Sequence, residues 1–137
     1  MTVPYIDADV LIRVMTGDDP IKQEAGIRLL ARVERGELEL ALAASTIAEV
    51  IFVVTSPALY RFDRESAKVG MLRVVQLAGM KVENRATVLR ALDLYNTLAT
   101  SFGDAMLAAT MERQGSTVVY SYDRGLRRIP GITRSEP

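Results

Sequence analysis

Short apolar runs that stop at a turn or a carboxylate alternate with stretches of helical period along the chain, and that alternation restricts the fold more than any other feature. The first run, Val3 to Ile6, stops at Asp7 and resumes as Val10, Leu11 and Ile12. This predicts a short buried strand turning into a helix. Gly17-Asp18-Asp19-Pro20 stops that helix and starts the next: Asp19 is a natural N-cap, and Pro20 suits the first helical position. The second helix is expected to reach Arg35 and stop at Gly36, with Ile21, Ala25, Leu29 and Val33 as its apolar stripe.

Leu38 to Ala43 is the next strand candidate, and Ser45-Thr46 opens a third helix through Val54. Asp63 caps a fourth helix, Arg64 to Ala78, with Gly79 as its stop. Met80 to Glu83 is a short strand, Asn84 caps a fifth helix reaching Thr100, and Asp104 begins a sixth after the connector Ser101-Phe102-Gly103. Gly115 ends the sixth helix, and Ser116 to Ser121, with β-branched Val118 and Val119, is the clearest strand. The remainder holds a helical turn at Gly125 to Arg128, a Pro130-Gly131 turn and a final strand at Ile132 to Arg134. Strands alternating with helices imply an α/β fold: a central, mostly parallel sheet flanked by helices in three layers. A single domain over residues 1–137 is expected, because a chain of about 150 residues buries roughly 70% of its unfolded surface.

The chain contains neither Cys nor His. That removes disulfides, Cys/His metal sites, thiol nucleophiles and imidazole bases together, so chemistry must rest on carboxylates and what they bind. Hydrophobic residues at 49% and charged residues at 25% are ordinary for a soluble protein, and no apolar run approaches the length of a membrane span. With no basic segment before the first apolar stretch, a cytosolic location is the expectation. The formal net charge is zero, but Arg outnumbers Lys 14 to 3. Arg is the better bidentate phosphate ligand, although a general compositional preference for Arg explains the ratio equally well.

Four acids fall at equivalent places in this layout: Asp7 ends the first strand, Glu49 lies in the opening turn of the third helix, Asp104 begins the sixth, and Asp123 ends the clearest strand. Strand C-termini and the starts of the following helices form one edge of a parallel sheet. Four carboxylates meeting there could not all stay ionised without a counter-charge, and a hard divalent cation such as Mg²⁺, or Mn²⁺ in its place, takes oxygen ligands of this kind. Each position also has a local reading. Asp7 and Asp104 are natural helix caps, Glu49 completes a capping box Thr46-x-x-Glu49, and Asp123 is a turn residue.

Tyr5-Ile6-Asp7-Ala8-Asp9-Val10-Leu11-Ile12, Ser45-Thr46-Ile47-Ala48-Glu49-Val50, Phe102-Gly103-Asp104-Ala105-Met106-Leu107-Ala108-Ala109 and Tyr120-Ser121-Tyr122-Asp123-Arg124 resemble the four motif blocks of PIN-domain ribonucleases. In length and in the closing Arg127-Arg128-Ile129-Pro130-Gly131-Ile132 the chain resembles in particular the VapC-type toxins of bacterial toxin–antitoxin pairs. The resemblance implies that Asp7, Glu49, Asp104 and Asp123 hold one or two Mg²⁺ or Mn²⁺ ions and that RNA is cleaved by a metal-activated water. It also implies a cognate antitoxin protein and a homodimer. Two departures leave the metal count open: Asp9 stands where the family more often has Asn, Ser or Thr, and Gly125 where many members carry a further acid. Ser45 and Ser121 are candidates to orient a ligand or phosphate, and Arg13, Arg124, Arg127 and Arg128 to contact phosphates.

Two other classes compete. Asp7-x-Asp9 after an apolar strand also resembles the first motif of haloacid-dehalogenase-type phosphatases, with Asp7 as nucleophile, but no apt lysine or downstream acidic pair accompanies it. A non-catalytic module that binds RNA or protein is the third reading. The apolar segment from Ile51 to Phe62 either packs in the core or, where exposed, offers a protein-binding groove, which by resemblance is where an antitoxin helix would lie.

Overall fold

The computed structural model describes residues 2–137, which form six α-helices, one 3₁₀ helix and four short strands. The chain packs as two compact units, Met1–Arg85 and Ala86–Pro137. The expected mixed α/β class with parallel strands holds. The strands form two parallel pairs, one in each unit.

In the first unit, α1 (Ala8–Thr16) and α2 (Pro20–Glu34) are joined through Gly17, which adopts φ +67° as a left-handed C-cap. Asp19 accepts a hydrogen bond from the Lys22 amide, and Pro20 opens α2, as the local sequence predicts. The buried face of α2 is different from the predicted one. Gly26, Leu30 and Val33 face inward, while Ile21 is 82% exposed and Ala25 is also at the surface. The reason is α1: a Cβ on Gly26 would stand 2.5 Å from Val14 Cγ2, so the two helices approach closest at the glycine and the inward stripe runs through it.

Strand β1 (Leu40–Leu42) is shorter than the predicted Leu38 to Ala43 and is buried along its whole length. It pairs in parallel with β2 (Met80–Val82), Leu40 opposite Met80 and Leu42 opposite Val82. The predicted first strand reduces to a single parallel bridge of Tyr5 with Ala41, made by the Ala41 amide to the Pro4 carbonyl at 2.8 Å and the Ile6 amide to the Ala41 carbonyl at 3.0 Å. Between the strands lie α3 (Ala44–Thr55) and α4 (Arg64–Val75). Asp63 caps α4 through the Ser66 amide, but the helix closes at Val75, before the predicted end at Ala78. Gly79 is therefore no helix stop; a Cβ there would lie 2.3 Å from the Leu38 carbonyl oxygen, so only glycine lets the chain enter β2. Leu11, Val33, Leu42, Ile47, Val54 and Met71 form the core of this unit, each out of contact with solvent.

The second unit is built on α5 (Arg85–Leu98) and α6 (Phe102–Gln114). Asn84, expected to cap α5, instead takes φ +52°, a left-handed turn in place of the extended backbone a cap requires. Ser101 and not Asp104 caps α6, its hydroxyl accepting the Asp104 amide at 3.1 Å. Gly115 closes α6 at φ +71° as predicted. Val88, Ala91, Leu92 and Ala105 are buried, and Tyr95 meets Phe102 edge to face at 6.3 Å. Strand β3 (Val118–Tyr120) pairs in parallel with β4 (Thr133–Ser135), and the 3₁₀ helix Arg124–Arg128 lies in the crossover, anchored by buried Leu126 and Ile129. Parallel pairing demands such a crossover, which a tight hairpin cannot supply. Among the described residues no helix is long and apolar enough to cross a membrane.

Candidate active site

Asp7 and Glu49 belong to the first unit. The bridge at Tyr5 leads directly into Asp7, whose extended backbone (φ −94°, ψ 163°) makes it the N-cap of α1. Its Oδ1 accepts the Ala8 amide at 2.8 Å, and among the described residues no hydrogen bond engages Oδ2. Capping and ligation do not compete here, since a carboxylate has lone pairs to spare after one such bond. Asp9 is exposed in the first turn of α1, where its charge favours the helix dipole.

Glu49 sits one turn deeper in its helix than expected, because α3 begins at Ala44 with Ala43 at the N-cap and no side-chain capping bond. The capping box Thr46-x-x-Glu49 does not form. The Glu49 side chain is exposed and free of hydrogen bonds and ion pairs among the described residues. Ser45, near the start of the same helix, is exposed and makes no capping bond among the described residues. Arg13 is already engaged: its Nη1 lies 2.5 Å from Asp18 Oδ2. Tyr60 donates to the same Asp18 oxygen at 2.6 Å and Thr16 donates to Oδ1 at 3.2 Å. These donors, the Tyr60 hydroxyl foremost and then the Arg13 charge, hold the Asp18 carboxyl below the usual carboxylate range, and the same bond pushes the Tyr60 phenol upward.

Asp104 and Asp123 belong to the second unit. Asp104 is the third residue of α6, half-buried, and its carboxylate makes no hydrogen bond or ion pair among the described residues. With Ser101 capping the helix, the reading of Asp104 as a cap falls away, and a negative charge on the first turn remains. Asp123 follows β3 and opens the 3₁₀ helix; its Oδ1 accepts the Gly125 amide at 2.8 Å. Its own amide donates to the Ser121 hydroxyl at 2.9 Å. The turn reading of Asp123 is thus correct as local structure, and among the described residues Oδ2 has no partner. Ser121 serves the turn. Arg124, Arg127 and Arg128 are exposed and enter no ion pair among the described residues.

Among the described residues each of the four carboxylates therefore keeps at least one oxygen without a partner, and the donor set is all oxygen, the chemistry suited to Mg²⁺ or Mn²⁺. Among the described residues no three or more Asp and Glu side chains are already grouped so as to hold a metal ion. One residue without any signal in the sequence enters this region: Arg134 on β4 donates to the Ser121 carbonyl at 2.7 Å. Nothing in the local pattern distinguishes it from the chain's thirteen other arginines.

Comparison with known proteins gives one result for the chain. The model of a family described as PIN domain matches residues 5–132, a span that contains all four carboxylates and runs through both units. No curated protein matches the chain.

Proposed function

The chain belongs to the PIN-domain family, whose members are generally metal-dependent nucleases, and from that premise we propose that it is a single-domain endoribonuclease using Mg²⁺ or Mn²⁺. The observation that carries the reading is the family match over all four acids, each with a carboxylate oxygen unengaged among the described residues. Asp7, Glu49, Asp104 and Asp123 are assigned to the cation, and drawing them together around it is part of the proposal. When bound, a divalent cation supplies Lewis-acid activation of water and stabilises charge developing at the phosphate and the leaving 3′ oxygen.

The residues of the chain contribute orientation. Asp7 and Asp123 are each tied by one oxygen to a backbone amide, while Glu49 and Asp104 stand on helix turns with no hydrogen bond or ion pair among the described residues. Arg124, Arg127 and Arg128, free of ion pairs among the described residues, are available to phosphates of an RNA strand. Arg13 would first have to leave Asp18, which ranks it behind them. The family match does not favour the phosphatase with Asp7 as nucleophile or the non-catalytic module.

We further propose that the nuclease is the toxin of a toxin–antitoxin pair, acts in the cytoplasm and forms a homodimer. Within Ile51 to Phe62, Ile51 and Val54 are core residues, whereas Phe52 and Leu59 are well exposed. Phe62 lines an apolar groove of about 550 Å³ together with Val14, Met15, Leu30 and Val69. An apolar helical segment of a small antitoxin protein is the occupant assigned to this region.

The deciding experiment incubates the purified protein with assorted RNAs in Mg²⁺, Mn²⁺ or EDTA and maps the product ends. Metal-dependent cleavage leaving 5′ phosphate and 3′ hydroxyl is expected; 2′,3′-cyclic phosphate ends would exclude attack by water. Hydrolysis of a phosphomonoester in a parallel assay would revive the phosphatase. Growth arrest on expression, relieved by a small protein encoded alongside, checks the toxin assignment separately from the nuclease.

A further inference from the structure

The side chain of Arg134 is only 6% exposed, and its Nε is buried without a hydrogen-bond partner. Keeping a guanidinium in such a place is unfavourable unless its other donors are well used, so its retention calls for a reason. Nη1 donates to the Ser121 carbonyl at 2.7 Å and to Glu136 Oε1 at 3.1 Å, the latter at the surface. The Ser121 amide donates to the Ser135 carbonyl at 2.9 Å. Both backbone groups of Ser121 are thus tied to β4 and its side chain, one by the ladder and one by Arg134.

From Ser121 the bonds continue to the acid. Its hydroxyl accepts the Asp123 amide, and the Asp123 carboxylate accepts the Gly125 amide. Packing does little to support this stretch: Tyr120 is 71% exposed, and Tyr122 and Asp123 lie at the surface. We propose that Arg134 is a positioning residue that sets the Ser121–Asp123 turn and so directs the free oxygen of Asp123 toward the divalent cation. The cation rests on the nuclease reading above; the turn rests on these bonds alone. Residue 134 lies beyond the family match, which ends at 132.

The test compares wild type, Arg134→Met and Arg134→Lys by two measurements. The first is amide hydrogen exchange, by NMR, of the metal-free proteins. The second is the Mg²⁺ concentration giving half-maximal cleavage and half the full rise in melting temperature. In Arg134→Met the Asp123 and Gly125 amides should exchange faster while the helices of the second unit keep their protection. The Mg²⁺ requirement should rise about 10- to 100-fold, the usual effect of removing an outer-shell partner, with the rate at saturating Mg²⁺ near wild type. Arg134→Lys, which keeps a donor but loses the fork, should fall between, and it carries the comparison if the Met variant does not fold. Protection lost throughout the unit with an unchanged Mg²⁺ requirement would make Arg134 merely structural and overturn the proposal. Unchanged exchange at Asp123 and Gly125 in both variants would overturn it as well. If wild type neither cleaves RNA nor gains stability from Mg²⁺, the cation part falls with the nuclease reading, and the exchange data decide the turn on their own.

Discussion

In the first unit the backbone leading to Asp7 is bonded to a strand buried along its length, whereas in the second the backbone leading to Asp123 lies in a strand whose ends face solvent. The acids occupy matching places. Each unit supplies one carboxylate that caps the element after an extended segment and one that stands free on a helix turn. The forces that hold them differ: burial of Leu40, Ala41 and Leu42 supports the backbone before Asp7, whereas before Asp123 the support is Ser121, whose carbonyl accepts from Arg134 and whose hydroxyl accepts the Asp123 amide. Burial is non-directional and strong, while hydrogen bonds contribute less net stability but fix direction. An acid held by bonds is thus open to adjustment by one side chain, and an acid held by burial is not.

The contrast breaks most readily in the cores. Leu42→Ala should lower unfolding stability by about 2–5 kcal/mol, because the side chain is fully buried and its removal leaves a cavity. Val118→Ala on β3, with half of Val118 exposed, should stay within about 0.5 kcal/mol. Urea unfolding of the two variants measures both, and equal losses would erase the distinction between the units.

Removing a free acid should separate function from stability. Glu49→Gln and Asp104→Asn should each reduce RNA cleavage by on the order of 100-fold, about 2.7 kcal/mol in barrier height. Neither should melt below wild type in EDTA, since neither side chain has a hydrogen-bond or ion-pair partner among the described residues. Mg²⁺ should raise the melting temperature of wild type more than that of the variants. An undiminished Mg²⁺ shift in Asp104→Asn would remove that residue from the site.

Asp7 allows the two roles to be separated at one position. Asp7→Ala loses cap and charge, so stability should fall by about 1 kcal/mol and cleavage should fail. Asp7→Asn keeps the cap and should retain the stability while still losing cleavage. Thermal unfolding and RNA digestion of both variants sharpen the comparison, because the same pair of substitutions at Asp104 should show no difference in stability.

The smallest effect concerns pH and lies in the first unit alone. Asp18 titrates below its ordinary value in the folded state, chiefly through the Tyr60 hydrogen bond, so its contribution is present near neutrality and disappears as pH falls through the folded-state value. The Tyr60 phenol titrates above its ordinary value, chiefly through the same bond, so its contribution is present below that ordinary value and disappears as pH rises through the folded-state one. The melting-temperature difference between wild type and Tyr60→Phe should therefore be largest at intermediate pH and shrink in acid and in alkali. A difference independent of pH would show that Tyr60 acts only by packing.

Much of this was legible in the residues themselves, and the reason is range. Asp19 with Pro20, Asp63 before Arg64, and Gly17 and Gly115 after their helices act on backbone groups within four residues, so their meaning travels with the sequence. The placement of Asp7, Asp104 and Asp123 at the ends and starts of elements was legible for the same reason, and with it the family and the α/β class, whereas Glu49 stands a turn further into α3 than the sequence suggests. What depends on a distant neighbour was not. The inward face of α2 passes through Gly26 because α1 presses there; Gly79 is required by the Leu38 carbonyl; and Ser101 took the cap from Asp104 once Phe102 went into the core and extended α6 by a turn's start. Arg134 shows the limit most clearly. Its sequence context is that of any surface arginine, and only the parallel pairing of β3 with β4 brings its guanidinium under the Ser121 carbonyl and out of water, because burial is a property of what folds over a residue and not of the residue.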